Sequence, residues 1–262
     1  PVMMYDTKIH GYTNDYSKTF DSEVVVITSG IPRKPGMSRE DLISTNAKIV
    51  MEVTEHVIRY SPRAKIIVVS NPLDVMTYTA YLSAKVPSNR VFGMAGVLDT
   101  ARFKSFIAQE LNVSPKEIQA VLMGGHGDTM VPLPRYTTVG GIHLTELMSE
   151  GQINAIVDRT IHGGAELVNL MGTSAWYAPG ASAALMVETI LRNQRRILPI
   201  SAWLRGEYGL QDVYFGVPVV LGKNGVEEII ELQLNKKEME LVKKSSKAVK
   251  ETMNILDNMK LF

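Results

Sequence analysis

The chain has 262 residues, 45% of them hydrophobic, and its 28 Lys and Arg nearly cancel its 27 Asp and Glu. That length buries a substantial core and lies near the size at which chains divide in two, while the balanced charge leaves no broad positive field to draw in nucleic acid or an anionic membrane. The sequence contains no cysteine, which excludes disulfides, thiolate nucleophiles and sulfur-ligated metals and suits a reducing compartment, the cytoplasm.

The first half repeats one pattern: a short β-branched run, a loop of Gly, Pro, Asn or Ser, then an amphipathic stretch of helical period. Strands are predicted over residues 8–12, 23–28, 65–70, 90–93 and 120–123, and helices over 39–60, 73–83 and 100–111. Such alternation argues for βαβ units around a parallel sheet, an α/β fold. The longest apolar runs are strand-sized, far from the roughly 20 residues of a membrane helix.

The second half changes character. Helices are predicted over 152–170 and 183–192, then antiparallel strands joined by turns at 206–209 and 222–225, an α+β arrangement. The chain closes with a helix over 236–259, where Met239, Val242, Val249, Met253 and Leu256 form one apolar stripe and Asn235 caps the start. The division is expected near 118–124, without a flexible linker.

Four loops at the ends of apolar strands hold most of the unusual polar residues, the place where open α/β sheets bind ligands. Residues 28–39, TSGIPRKPGMSR, carry three cations among Pro and Gly, as in a loop that folds over a ligand, or simply a solvated basic loop. In SNPLD, Asn71 precedes a proline and is biased toward extended backbone, leaving its amide free, though the segment also reads as an ordinary turn into a helix. In GMAGVLDTARF, Asp99 and Arg102 are three apart and share a helix face; an Asp cap beside a surface Arg is the bland alternative. In GGHGDT, His126 sits among glycines that permit close backbone approach, a freedom that a core histidine does not need. Together the loops supply a proton shuttle, a carboxylate to orient it and separated guanidinium groups, an inventory that fits a substrate with two carboxylates and one exchangeable proton.

The strings IPRKPGMSREDL, VVSNPLD, GMAGVLDTARF and MGGHGDTMVP, in this order and spacing, resemble the NAD-dependent 2-hydroxy acid dehydrogenase family, particularly its lactate-dehydrogenase-like malate dehydrogenases. The similarity runs through essentially the whole chain. It implies that His126 exchanges the proton at the substrate C2 oxygen, with Asp99 as its orienting partner, that Arg102 clamps the C1 carboxylate, and that Arg39 polarises the carbonyl. Asn71 would lie beside substrate and nicotinamide, and Thr28, Gly30, Asn46, Val69 and Asn71 along NAD; no metal is implied. Arg33 occupies the position that separates members of the family: a neutral residue suits a methyl-bearing substrate, and an arginine pairs with a second carboxylate, so malate and oxaloacetate are expected over lactate and pyruvate.

The resemblance also implies a division into a dinucleotide-binding part, 1–120, and a catalytic α+β part, 121–262, and a homodimer or homotetramer with no nucleic-acid or membrane partner. The family's opening strand, G-x-G-x-x-G turn and acid-tipped second strand have no counterpart here, so an incomplete Rossmann-like sheet is expected, with residues 8–12 as its third strand. NAD rather than NADP follows from the family alone. A lactate or broader 2-hydroxy acid dehydrogenase, or a non-catalytic fragment of such an enzyme, is the alternative reading.

Overall fold

The structure, a computed structural model, describes residues 7–32 and 36–262. The first parallel unit is β1 (Val24–Ile27), α1 (Arg39–Tyr60) and β2 (Lys65–Val68), followed by α2 (Leu73–Ala84), β3 (Val91–Gly93) and α3 (Gly96–Leu111). Helix α1 starts where it does because Ser38 and Asp41 form a reciprocal capping box, and Ile43, Ala47, Val50, Thr54 and Val57 then bury one face at alternating spacings of three and four. Helix α3 begins a turn earlier than residue 100, which places Asp99 within its first turn.

Small elements follow: β4 (Ile118–Gln119), β5 (Leu122–Met123), β6 (Val131–Pro132), β7 (Thr138–Val139), β8 (Ile142–His143) and α4 (Leu144–Leu147). The long helices α5 (Glu150–Met171) and α6 (Tyr177–Leu191) lead into the antiparallel strands β9 (Arg196–Arg205), β10 (Gln211–Gly222) and β11 (Gly225–Ile229). The last element is α7 (Lys236–Asn258), with Asn235 as its cap.

The main sheet runs β1-β2-β3-β9-β10-β11. Its first three strands are parallel, and β9 joins antiparallel at Gly93↔Ser201, so the later strands extend the sheet of the first half. One large core spans Ile66, Ile67, Phe92, Phe215, Val242 and Leu256, while Phe103, Ile107, Leu122, Leu144 and Ile153 form a second. These two cores carry the helices at fixed heights over the ends of β1, β2 and β3.

Residues 8–12 do not form the predicted strand; they are exposed and without ladder partners. A strand is stabilised by its neighbour's backbone groups, and among the described residues nothing lies beside this segment to supply them. No described helix is long and apolar enough to cross a membrane.

Candidate active site

The carboxyl ends of the parallel strands, with the glycine loop that follows β5, bring the predicted polar residues together. Asp99 lies almost wholly buried on α3 and divides its carboxylate: Oδ2 stands 2.8 Å from His126 Nδ1, and Oδ1 accepts a 3.2 Å hydrogen bond from Arg102 Nη1. The His126 side chain keeps 22% of its surface open and that of Arg102 13%. Arg102 Nη1 also donates to the Thr160 carbonyl on α5, while its Nε and Nη2 have no hydrogen-bond partner among the described residues.

The histidine is held by its backbone as much as by its ring. Three consecutive amides of the glycine loop donate to three different elements: Gly124 to the Gly216 carbonyl on β10 (2.9 Å), Gly125 to Ser245 Oγ on α7 (3.0 Å) and His126 to Asp74 Oδ2 on α2 (3.0 Å). A Cβ on Gly125 would lie 2.5 Å from Val249 Cγ2, so glycine is required there for α7 to pack this close. Burial works to lower the His126 pKa. The charge of Asp99, its hydrogen bond and the charge of Asp74 outweigh that and the opposing Arg102, and the net shift is upward.

A cavity of about 460 Å³ opens in front of His126, walled by Arg39, Pro72, Asp74, Asp128, Val249 and Thr252. On that wall Arg39 Nη2 donates to Thr252 Oγ1 at 2.6 Å, and Thr252 gives its own proton to the Ala248 carbonyl. A neighbouring cavity of about 570 Å³ contains Asn71 and Arg102 together with Gly163, Ser174 and Ala175. His126, Asp99 and Arg102 thus form one contact chain, Arg39 shares the histidine's cavity, and Asn71 shares that of Arg102. Arg33 lies outside the described residues.

The residues predicted along the dinucleotide collect at the ends of β1 and β2. Asn46, buried on α1, accepts from the Ile31 amide at 2.8 Å and donates to the carbonyls of Ile31 (3.1 Å) and Asn71 (2.7 Å), tying the two loops together. Thr28 and Gly30 are exposed on the resulting ledge, and Val69 is half-buried beside it. Asp74, Ser245, Thr252 and Gly163 escaped the sequence analysis. Only Asp74 carried a signal, as the acid closing SNPLD.

A buried carboxylate that orients a histidine, at the strand ends of an α/β sheet and beside a partly unpaired guanidinium, defines a proton-transferring enzyme for an anionic substrate. Family comparison sharpens that class. The lactate/malate dehydrogenase NAD binding domain matches residues 2–93, and the lactate/malate dehydrogenase alpha/beta C-terminal domain matches residues 96–259. The malate dehydrogenase of Cytophaga hutchinsonii is 65% identical over 99% of this chain and 83% of its own length, and that of Salinibacter ruber 56% identical over 99% and 82%. The solved S. ruber malate dehydrogenase superposes with a TM-score of 0.90 at 55% identity, over 94% of this chain and 79% of that one. The Cryptosporidium parvum malate dehydrogenase structure gives 0.90 at 41% identity, over 94% and 80%. The chain belongs to the lactate/malate dehydrogenase family.

The ledge fits the NAD that the family's first domain binds. Ser29 Oγ is buried there without a hydrogen-bond partner among the described residues, a polar atom that a ligand can satisfy. Gly30 has φ +155°, and a Cβ on it would press to 3.3 Å from the Asn46 amide oxygen that holds the loop.

Proposed function

We propose that the chain is an NAD-dependent malate dehydrogenase that interconverts malate and oxaloacetate. The observation that carries this reading is the 2.8 Å contact between His126 and the buried Asp99, with Arg102 on the same carboxylate. NAD, when bound, supplies reversible hydride exchange at the substrate C2, and the protein residues do the rest.

With Nδ1 engaged by Asp99, Nε2 of His126 is the atom that gives a proton to the carbonyl oxygen in reduction and takes it back from the hydroxyl in oxidation. The upward pKa shift favours the protonated imidazole, the form that reduction needs. Arg102 spends Nη1 on Asp99 and Thr160, and offers Nε and Nη2 as a fork to the C1 carboxylate. Arg39, across the cavity, polarises the C2 carbonyl on leaving Thr252. Thr28, Gly30, Asn46 and Val69 seat the dinucleotide, and Asn71 lies between it and the substrate. Arg33 pairs with the second carboxylate and thereby selects oxaloacetate over pyruvate.

In this reading residues 1–120 bind the dinucleotide and 121–262 form the catalytic part. A cytoplasmic setting suits the cysteine-free chain. A homo-oligomer is supported by the apolar surface where α5 ends and α6 begins: Leu167, Val168, Leu170, Met171, Trp176 and Tyr177 are all exposed. Sedimentation as a monomer would contradict that part. The enzymatic reading is tested by NADH oxidation with oxaloacetate beside pyruvate: turnover on oxaloacetate at least about 100-fold higher is expected, and equal rates or none refute it.

A further inference from the structure

We propose that Asp74 is a positioning residue for His126: a second buried carboxylate that pins the histidine's backbone and adds negative charge behind its ring. The inference rests on the reading of His126 as the proton-exchanging group. Asp74 sits in the first turn of α2, buried apart from the edge it shows to the cavity, and two groups aim at it. Ser201 on β9 donates its hydroxyl to Oδ1 at 2.7 Å, and the His126 amide donates to Oδ2 at 3.0 Å. Two donors are what an ionised carboxylate accepts. Burial pushes the Asp74 carboxyl up and the Asp99 charge adds to that, while the Ser201 hydroxyl, the His126 amide and the His126 charge oppose it without reversing the net upward direction.

Position explains why an acid is used here. The strand ends, α2 and the glycine loop meet at one point, and a carboxylate reaches both β9 and the loop. A neutral residue of the same shape could bridge them, but it would leave the imidazolium with Asp99 as its sole buried counter-charge. Among the described residues, the charged groups around His126 are Asp99 and Arg102 from α3, Asp74 from α2, and Arg39 and Asp128 along the cavity wall. The remaining packing groups, Ser201 of β9, Gly216 of β10 and Ser245, Val249 and Thr252 of α7, carry no charge. Removing Asp74 therefore shifts the balance at His126 toward the neutral imidazole.

The test is the pH profile of oxaloacetate reduction by Asp74→Asn, with Asp74→Glu as the variant that keeps the charge. Asp74→Asn should lose at least about 10-fold in kcat, and its alkaline limb should move to lower pH because His126 gives up its proton sooner. Asp74→Glu should leave that limb near its wild-type place. An Asp74→Asn limb that coincides with the wild type assigns Asp74 a purely structural role and overturns the proposal. Should Asp74→Asn fail to fold, carboxyl carbon NMR of the wild-type protein decides: an ionised Asp74 at pH 7 is expected, and a protonated one refutes the charge role. Failure of the His126 reading itself is seen separately, as oxaloacetate turnover that survives His126→Asn.

Discussion

His126 Nδ1 and Asp99 Oδ2 stand 2.8 Å apart across 27 residues of sequence, and the same carboxylate holds Arg102 through its other oxygen. Because one acid holds both the proposed proton donor and the proposed substrate clamp, the ring and the guanidinium keep a fixed relation to each other. His126→Asn preserves a polar side chain of similar size but removes the basicity. Turnover of oxaloacetate should fall at least about 100-fold while NADH affinity stays within about two-fold. Stopped-flow turnover and a fluorescence titration measure the two halves, and retention of a tenth of the rate would remove His126 from proton transfer.

Asp99→Ala tests the other end of the contact. It strands the Arg102 charge, which keeps only the Thr160 carbonyl. Breaking a buried pair from one side costs about 3–5 kcal/mol, and the lower figure applies because Arg102 still touches the cavity solvent. A urea titration should show a loss near about 3 kcal/mol. A loss below about 1 kcal/mol, the size of an exposed pair, would mean that the pair does not act as a buried one.

The histidine also makes stability depend on pH. Its folded pKa is raised above the ordinary histidine value of 6.5, so the protonated ring stabilises the fold fully below that value, and this contribution is lost as pH rises through the folded pKa. Asp74 is likewise raised, above 3.8, and is common to wild type and His126→Asn, so their difference reports the histidine. The thermal midpoints of wild type and His126→Asn, measured between pH 6 and pH 9, should converge as pH rises. Parallel curves would show that the ring is not held in its charged form.

Local signals and distant contacts explain what could be read from the residues alone. The bounds of α1 follow from Ser38, Asp41 and the 43, 47, 50, 54, 57 spacing, all within one segment. The strand expected over 8–12 has the composition of a strand but no neighbour, and pairing is a property of two segments. The order of β9 beside β3 rests on a single pair, Gly93↔Ser201, which no periodicity announces. The site divides in the same way. His126, Asp99 and Arg102 stand in distinctive strings, whereas Asp74 with His126, Asp74 with Ser201 and Arg39 with Thr252 meet across 52, 127 and 213 residues. Ser, Thr and a helix-start Asp are common enough to pass as caps and surface groups until the fold closes on them.

Substrate choice is assigned to Arg33, on its place in IPRKPGMSRED. Arg33→Gln removes the partner proposed for the second carboxylate and, on that reading, relieves the cost of an unpaired charge opposite a methyl group, a difference of several kcal/mol. kcat/KM for oxaloacetate should fall by about 100-fold or more and that for pyruvate should rise. Unchanged oxaloacetate kinetics would move the specificity determinant elsewhere.

Gly163 separates the needs of the fold from those of the site. It lies in the middle of α5 with ordinary helical φ, where alanine would be preferred by about 1 kcal/mol on helix propensity alone. The obstacle is Arg102: a Cβ on Gly163 would stand 2.5 Å from its Cδ and 3.1 Å from its Nε. Nη1 is tied to Asp99 and Thr160, so the displacement falls on the Nε and Nη2 edge, the side proposed to receive the substrate carboxylate. A shift of even 1 Å in such a clamp is worth up to about 100-fold in rate. Gly163→Ala is therefore expected to keep or raise the thermal midpoint and leave NADH binding unchanged, while KM for oxaloacetate rises by about 10-fold or more. Unaltered KM in a stably folded Gly163→Ala would show that Arg102 yields without loss, and that the glycine is not needed to aim it.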